Sequence, residues 1–363
     1  MAAILGLALA SARGASLEEA VAATGRGESA PNGEMHVRVF DTVERLPYYR
    51  APALDLSVVA GVLEHAQADC GLDRNAGSQA ALFVGSSSLT LPQHEEEGAT
   101  PSKPAGGMRH IARALAQRAG IAGPDFTVNT ACTSSAHALL MAAGMVERGD
   151  VRHAVVLGLE QANRFTVSGF AAMNLLSASG SRPFDLKRDG LVLGEAAAAV
   201  VLGPRDDAHP IFCGGANLID RSGETGADPG GLAFANALRT ALHAAKVRPD
   251  QVSLVKAQGA GSPAAEVAEA RAMHAVFRAL PPVISLKPYL GHTLGASACA
   301  ELALLLGAWR AGFVPGTPGF STPDPELACT PERKARDWRG GIATFHHLGF
   351  GGGQAVLVVR DAV

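Results

Sequence analysis

Apolar and polar positions along this chain follow two periods, and the two take turns. Residues 3–8 are apolar at nearly every position and read as a buried strand. Ser16 and Glu19 then make the Ser-x-x-Glu pattern that opens a helix, before a polar, Gly-rich loop over residues 25–34. Helical spacing returns over residues 54–70, and residues 80–85 read as another buried strand. Residues 86–107 are polar and Pro-containing and read as a surface loop or lid, with Glu95, Glu96 and Glu97 as a solvated face. A helix over 108–119, a strand over 126–129, a helix ending at Arg148, a strand over 151–158 and one more strand within 191–202 complete this half.

The second half repeats the grammar. Strands are predicted over 210–218, 254–257, 283–285, 341–345 and 355–359, and helices over 231–245, 264–278 and 296–311. Strands alternating with helices imply an α/β fold with its sheets covered by helices. VNTACTSSAHALLMAAGMVERGD and SLKPYLGHTLGASACAELALLLGAWRAG share one order of parts. Each has a short strand, a polar turn, then a helix with small and apolar residues on every side. A helix apolar all round belongs at the centre of a protein. Two of them point to a duplicated fold with halves 1–205 and 206–363 and both helices packed together. Cys132 then stands at the N-terminus of the first helix and His292 just before the second.

Composition narrows the function classes. Of 363 residues, 47% are hydrophobic and 18% charged, which allows a large core and argues against disorder. A net charge of −3 without basic clusters gives no support to nucleic acid or anionic membranes as partners. Five cysteines without a CxxC pair fit a reducing, cytoplasmic setting rather than a disulfide framework or structural zinc. The opening apolar run has small residues like those of a signal peptide. No charged side chain precedes it, though, and a helix cap follows, so the strand reading is favoured. No apolar run reaches the roughly 18 residues that a spanning helix needs.

The candidate chemistry centres on Cys132 and His292. A thiol at a helix N-terminus meets the positive end of the dipole and free backbone N–H groups, which favour the thiolate and can hold an oxyanion. Free cysteine is also among the most buried residue types, and on context alone nucleophile and packing residue are evenly matched. Glycines flank the segment around His292 and imply backbone packed close by. Glu301 falls inside an apolar helix and needs a partner, for which Lys287 is the candidate, as part of a site or as a structural ion pair. The run from Gly349 to Gly353 leads into a strand, not a helix, which argues against a phosphate loop and for backbone N–H groups exposed to a cavity. Adjacent His346 and His347 would point to opposite sides of an extended chain and would not chelate one metal ion together.

These pieces resemble the β-ketoacyl synthases, the condensing enzymes of fatty-acid and polyketide synthesis in the thiolase superfamily. The resemblance rests on VNTACTSSAH, on Arg182-Pro183-Phe184-Asp185 with Arg188-Asp189-Gly190 and Gly194-Glu195, on Lys287 and Gly291-His292 with Glu301, and on LGFGGGQ, in family order along essentially the whole chain. It implies a five-layered αβαβα thiolase-like fold of duplicated βαβαβαββ halves, forming a homodimer or a heterodimer with another synthase-like subunit. It also implies that Cys132 takes an acyl group from an acyl carrier protein or coenzyme A thioester and condenses it with a decarboxylating malonyl thioester. His292 would stabilise the enolate. The N–H groups of Cys132 and Phe350 would form the oxyanion hole, and Phe350 would gate the acyl pocket. Lys287 and Glu301 would support the site, and neither metal nor organic cofactor would be needed.

Departures bear on the reaction. Where the family has HGTGT, this chain has Gln258-Gly259-Ala260-Gly261-Ser262. Gln258 cannot carry a proton near neutral pH, so help to decarboxylation should be weakened. Ala260 and Ser262 replace the two threonines expected to bind pantetheine, and Gly351 and Gly352 complete the expected substrate contacts. His346 and His347 replace the start of NSFGFGG and are candidates for the missing base. Three functions are therefore expected: an altered synthase, a partner subunit resembling a chain-length factor, and an acyltransferase that does not decarboxylate.

Overall fold

The computed structural model describes residues 1–72, 79–96, 109–222 and 227–362. Its strands in chain order are β1 (Ala2–Ser11), β2 (Gly33–Val39), β3 (Thr42–Tyr48), β4 (Ala81–Gly85), β5 (Asp125–Val128), β6 (Ala154–Glu160) and β7 (Ala196–Gly203). They continue with β8 (Ile211–Ile219), β9 (Leu254–Lys256), β10 (Val283–Ile284), β11 (Phe313–Val314), β12 (Arg336–Asp337), β13 (Ile342–Gly349) and β14 (Gly353–Arg360). The principal helices are α1 (Leu17–Gly25), α2 (Leu56–Asp69), α3 (Arg109–Arg118), α4 (Ser134–Arg148), α5 (Arg164–Ala172), α6 (Leu232–Ala244), α7 (Pro263–Val276) and α8 (Ser297–Arg310).

Ten strands join in the order β10-β9-β13-β14-β8-β1-β7-β6-β4-β5. Within each half the same scheme recurs. β4 is parallel to β5 and β6, while β7 is antiparallel to β6 and β1; β9 is parallel to β10 and β13, while β14 is antiparallel to β13 and β8. The halves join through two residue pairs, Ala2↔Phe212 and Ala3↔Ile211. The two sheets of the layered arrangement are thus continuous, and the expected division at 205/206 falls in the β7–β8 connection.

Helix α2 covers β1 and β7, and α3 covers β4 and β5; α6 covers β8 and β14, with α7 packed beside it. Helices α4 and α8 pack on each other and touch strands of both half-sheets, which makes five layers. Strands buried on both faces must be apolar throughout, and β7, AAAAVVLG, is buried at every residue. The opening apolar run is the central strand β1. Residues 297–309 of α8 are all buried, as an all-round apolar pattern requires. Helix α4 departs from that expectation: Met141 is 39% exposed, because one flank of α4 reaches the surface.

Several elements lie outside the sequence reading, the short strand pair β11–β12 among them. The hairpin β2–β3 alternates Met35, Val37 and Val39 inward with polar residues outward, closing through Phe40 in a left-handed conformation (φ 51°). Helix α5 buries Val167, Phe170 and Ala171, and it packs on β2. The segment 86–107 holds a short helical turn, Leu91–Glu96, and its residues 97–107 lie outside the described residues. Glu95 is more than a solvated face: its carboxylate accepts from the N–H groups of Arg164 and Phe165 at 2.7 Å each and caps α5. Glu97 lies outside the described residues. Among the described residues no helix is long and apolar enough to cross a membrane.

Candidate active site

Cys132 is presented by a tight turn between β5 and α4. Thr133 N–H donates to Thr130 O at 3.2 Å and Ser134 N–H to Ala131 O at 3.1 Å, which forces Ala131 to φ 52°. A left-handed conformation costs a non-glycine residue roughly 1–2 kcal/mol, so the surrounding fold must hold it. The thiol is buried, and the nearby backbone N–H groups of Phe350 and of Cys132 itself favour its charged form. Burial pushes it up to about 11, and the Phe350 N–H and the charge of Lys287 offset this only in part. Removal from water thus works against the expected preference for thiolate.

His292 precedes α8 in a strap that pairs with the segment around Leu193. Its N–H donates to Val192 O at 2.7 Å, and its carbonyl accepts from Gly194 N–H at 3.1 Å. Gly291 makes this approach possible at φ 74°, since a Cβ there would sit 2.9 Å from Leu193 O. The imidazole Nδ1 lies 3.3 Å from Ser297 Oγ. Burial, then Lys287 and Lys256, holds the imidazole well below its usual range, so it is neutral.

Glu301 meets Lys287, the partner the sequence suggested, through Oε1, and it meets a second ammonium, Lys256, through Oε2. Lys256 stands at the end of β9, fully buried, and also donates to His346 O at 2.9 Å. Burial lowers it to about 8, against the opposing pull of Glu301.

Gln258 opens the loop after β9 and donates through Nε2 to Leu348 O at 3.3 Å. Two buried carboxylates on one face of α7 hold this loop. Glu269 accepts from Gln258 N–H at 2.7 Å and Gly259 N–H at 3.1 Å, and Glu266 accepts from Gly261 N–H at 2.7 Å. The RPFD…RDG segment braces the same loop: Arg188 pairs with Glu266, and Gly190 N–H donates to Gly261 O at 3.1 Å. Burial raises Glu266 to about 8.

His346 and His347 do point to opposite sides. His346 has both ring nitrogens engaged, Nδ1 with Glu269 at 3.0 Å and Nε2 with Thr344 Oγ1 at 3.1 Å. His347 is buried near Glu301 Oε2 at 3.8 Å, and among the described residues neither ring nitrogen has a hydrogen-bond partner. Neither lines the cleft.

One cleft, enclosing about 660 Å³ of space partly open to solvent, is lined by Cys132, His292, Gln258, Ala260, Ser262 and Phe350. Phe170, Leu175 and Leu191 form its apolar wall, and the ring of Phe170 stacks on that of Phe350 at 5.0 Å. Lys287 and Glu301 lie behind His292, away from the lining. Gly351 and Gly352, the expected substrate contacts, are not among the residues that line this cleft. Gly351 is exposed, and Gly352 packs on the chain at Asp220, where a Cβ would sit 2.0 Å from the carbonyl oxygen. The glycine at the cleft is Gly349.

The sequence reading did not single out Lys256, Glu266 or Glu269. Their signals were present: a lysine closing an apolar strand, and two glutamates three apart, on one helical face, after the loop of Gln258. The wall residue Phe170 was missed with its helix.

The fold defines the class. A β-ketoacyl synthase from Burkholderia phymatum has a TM-score of 0.84 at 23% identity, covering 100% of this chain and 99% of that one. A ketosynthase in complex with its chain length factor from Xenorhabdus doucetiae has a TM-score of 0.84 at 20% identity, over 99% and 98%. The class is the thiolase-like α/β fold of the ketosynthases. Family models for the β-ketoacyl synthase N-terminal domain and C-terminal domain match residues 51–208 and 214–321. The chain belongs to the β-ketoacyl synthase family. The 3-oxoacyl-(acyl-carrier-protein) synthase 2 of Coxiella burnetii is 32% identical over 65% of this chain and 62% of that protein. The tetracenomycin polyketide synthase ketoacyl synthase alpha subunit of Streptomyces glaucescens is 35% identical over 69% and 63%. In these alignments the chain spans less than two thirds of the relatives' length.

Proposed function

We propose that this chain is a β-ketoacyl synthase-type acyltransferase in which Cys132 carries the acyl group as a thioester. The observation that carries this reading is the buried thiol in one cleft with His292, Gln258 and Phe350. In acylation the Cys132 sulfur bonds to the acyl carbon of an acyl carrier protein or coenzyme A thioester, and the carrier thiol leaves with the cysteine proton. The N–H groups of Cys132 and Phe350 stabilise the carbonyl oxygen as it becomes negative. A malonyl thioester then loses carbon dioxide. His292 donates a hydrogen bond to the enolate oxygen, the enolate carbon bonds to the acyl carbon, and Cys132 leaves as a thiolate that takes a proton from water. A dimer, with a second copy or another synthase-like chain, and a cytoplasmic setting suited to five free cysteines complete the reading.

A second reading, acyl transfer without decarboxylation, is favoured by Gln258, whose amide cannot accept a proton. Intact-mass measurement with acyl carrier thioesters, followed by assay of carbon dioxide release from malonyl thioester, decides among these. A mass gain lost in Cys132→Ala is expected. No acylation would remove both readings and leave the partner-subunit role, which co-purification of another synthase-like chain would test. Acylation without decarboxylation would select the second reading.

A further inference from the structure

Hydrogen bonds among the buried charges, bridged once through the covalent frame of His346, run between two residues of the cleft. At one end the N–H of Gln258 donates to Glu269, which also meets His346 Nδ1 at 3.0 Å. Lys256 spans from His346 O to Glu301 Oε2. Lys287 joins Glu301 Oε1 to Ser297 Oγ at 3.2 Å, and Ser297 Oγ lies 3.3 Å from His292 Nδ1.

The ammoniums fix the direction of their own bonds. An ammonium only donates, so Ser297 Oγ accepts from Lys287 and its hydroxyl hydrogen is available to Nδ1 of His292. An accepting Nδ1 leaves the ring proton on Nε2, the nitrogen left for the cleft. Thr293 Oγ1, also 3.3 Å from Ser297 Oγ, would compete for that hydrogen if Lys287 shifted.

Charge sets the second constraint. Glu301 with Lys287 alone would be a neutral pair, so Lys256 adds one positive charge to a buried cluster. The titratable groups around His292 are Lys256 on β9, Lys287 in the turn after β10, Glu301 on α8, His347 on β13 and Cys132 at the head of α4. Imidazolium is opposed by both lysines, and the Glu301 carboxylate is already shared between them.

We propose that Lys256 is a positioning residue for His292: by occupying the second oxygen of Glu301 it directs Lys287 to Ser297 and fixes the imidazole in the tautomer that donates from Nε2 into the cleft. This rests on the reading of His292 as the donor to the enolate oxygen.

The test is imidazole nitrogen NMR of the full chain from about pH 5 to about pH 9.5, comparing wild type with Lys256→Met and Lys256→Gln. Wild type is expected to hold the Nε2–H tautomer throughout. In both variants the protonation midpoint of His292 should rise by at least about one pH unit, a tenfold change. The Nδ1–H tautomer should appear in the Met variant and not in the Gln variant, whose amide still donates to Glu301. An unchanged midpoint and tautomer in either folded variant overturns the proposal. If the Met variant does not fold, the Gln variant carries the comparison. The wild-type chain adds an independent measurement: the His292 resonances must move as Lys256 loses its proton near about 8, and their constancy also overturns the proposal. Acylation of Cys132, read by mass on the same samples, reports separately on the proposed activity. A wild type that never acylates sinks that activity, while the NMR comparison still decides the role of Lys256.

Discussion

The two halves of the sheet share one strand order and divide the site unequally. The first half gives the thiol and the apolar wall of Phe170, Leu175 and Leu191. The second gives Lys256, Glu266, Glu269, Lys287, His292, Glu301, His346 and His347, all buried. Each half also buries a carboxylate beside a central helix, and the two are satisfied differently. Glu160, ending β6, accepts among the described residues from neutral donors: Ser87 N–H and Oγ, Ser88 N–H and Gly295 N–H. Glu301 meets two ammoniums. It sits inside a helix whose own N–H groups are already used, so only side chains can reach it. Glu160 ends a strand beside two turns with N–H groups to spare. Duplication of the topology supplies equivalent places, and local backbone supply decides whether charge gathers there.

The contrast is broken most severely at Glu301. Glu301→Gln leaves two buried ammoniums without a carboxylate and should cost about 3–5 kcal/mol, read from urea unfolding midpoints. Glu160→Gln, which loses only neutral donors, should cost about 1–3 kcal/mol. Equal losses would erase the distinction between the halves.

A second effect separates the thiol from an ordinary cysteine. With Cys132 near about 11 against an ordinary 9.0, its thiolate fraction at neutral pH is about 100-fold lower. Raising pH creates thiolate, so iodoacetamide alkylation of Cys132, followed by mass, should keep climbing toward about 11. A plateau near pH 9 would mean that the dipole and Lys287 outweigh burial after all.

Gln258→His should quicken malonyl decarboxylation roughly 10- to 100-fold, at or below the low end for a positioned base. An unchanged rate would mean that another residue already serves. The smallest effect is expected at Glu95→Gln, which weakens the cap on α5 and should cost about 0.5–1 kcal/mol in thermal unfolding. A larger loss would make α5, and with it Phe170, a more delicate part of the wall than its burial suggests.

Much of the frame was legible. Strand β7 is apolar over its whole length and helix α8 nearly so, with Glu301 the one buried charge within it, and that pattern has few other homes in a folded chain. The hairpin β2–β3 escaped because its alternation is short and follows a Gly-rich loop. Helix α5 escaped because nine residues with a polar start carry a weak period. The site was legible where its residues sit in turns of special backbone, as Cys132 and His292 do. It was not legible at Lys256, where a single charge at the end of a strand reads as solvent-facing until its neighbours are known.

The sequence by itself determined the alternation of strands and helices, the duplication, and the placing of Cys132 and His292 at the heads of the two central helices. Those features depend on patterns within some ten residues. Tertiary structure alone decided the state of the thiol, the second cation on Glu301, the turning of His346 toward Glu269 and the withdrawal of Gly351 and Gly352 from the cleft. Ionisation follows from desolvation and charges at a few ångströms, and the partners here stand as far apart in the chain as His346 and Glu269, 77 residues.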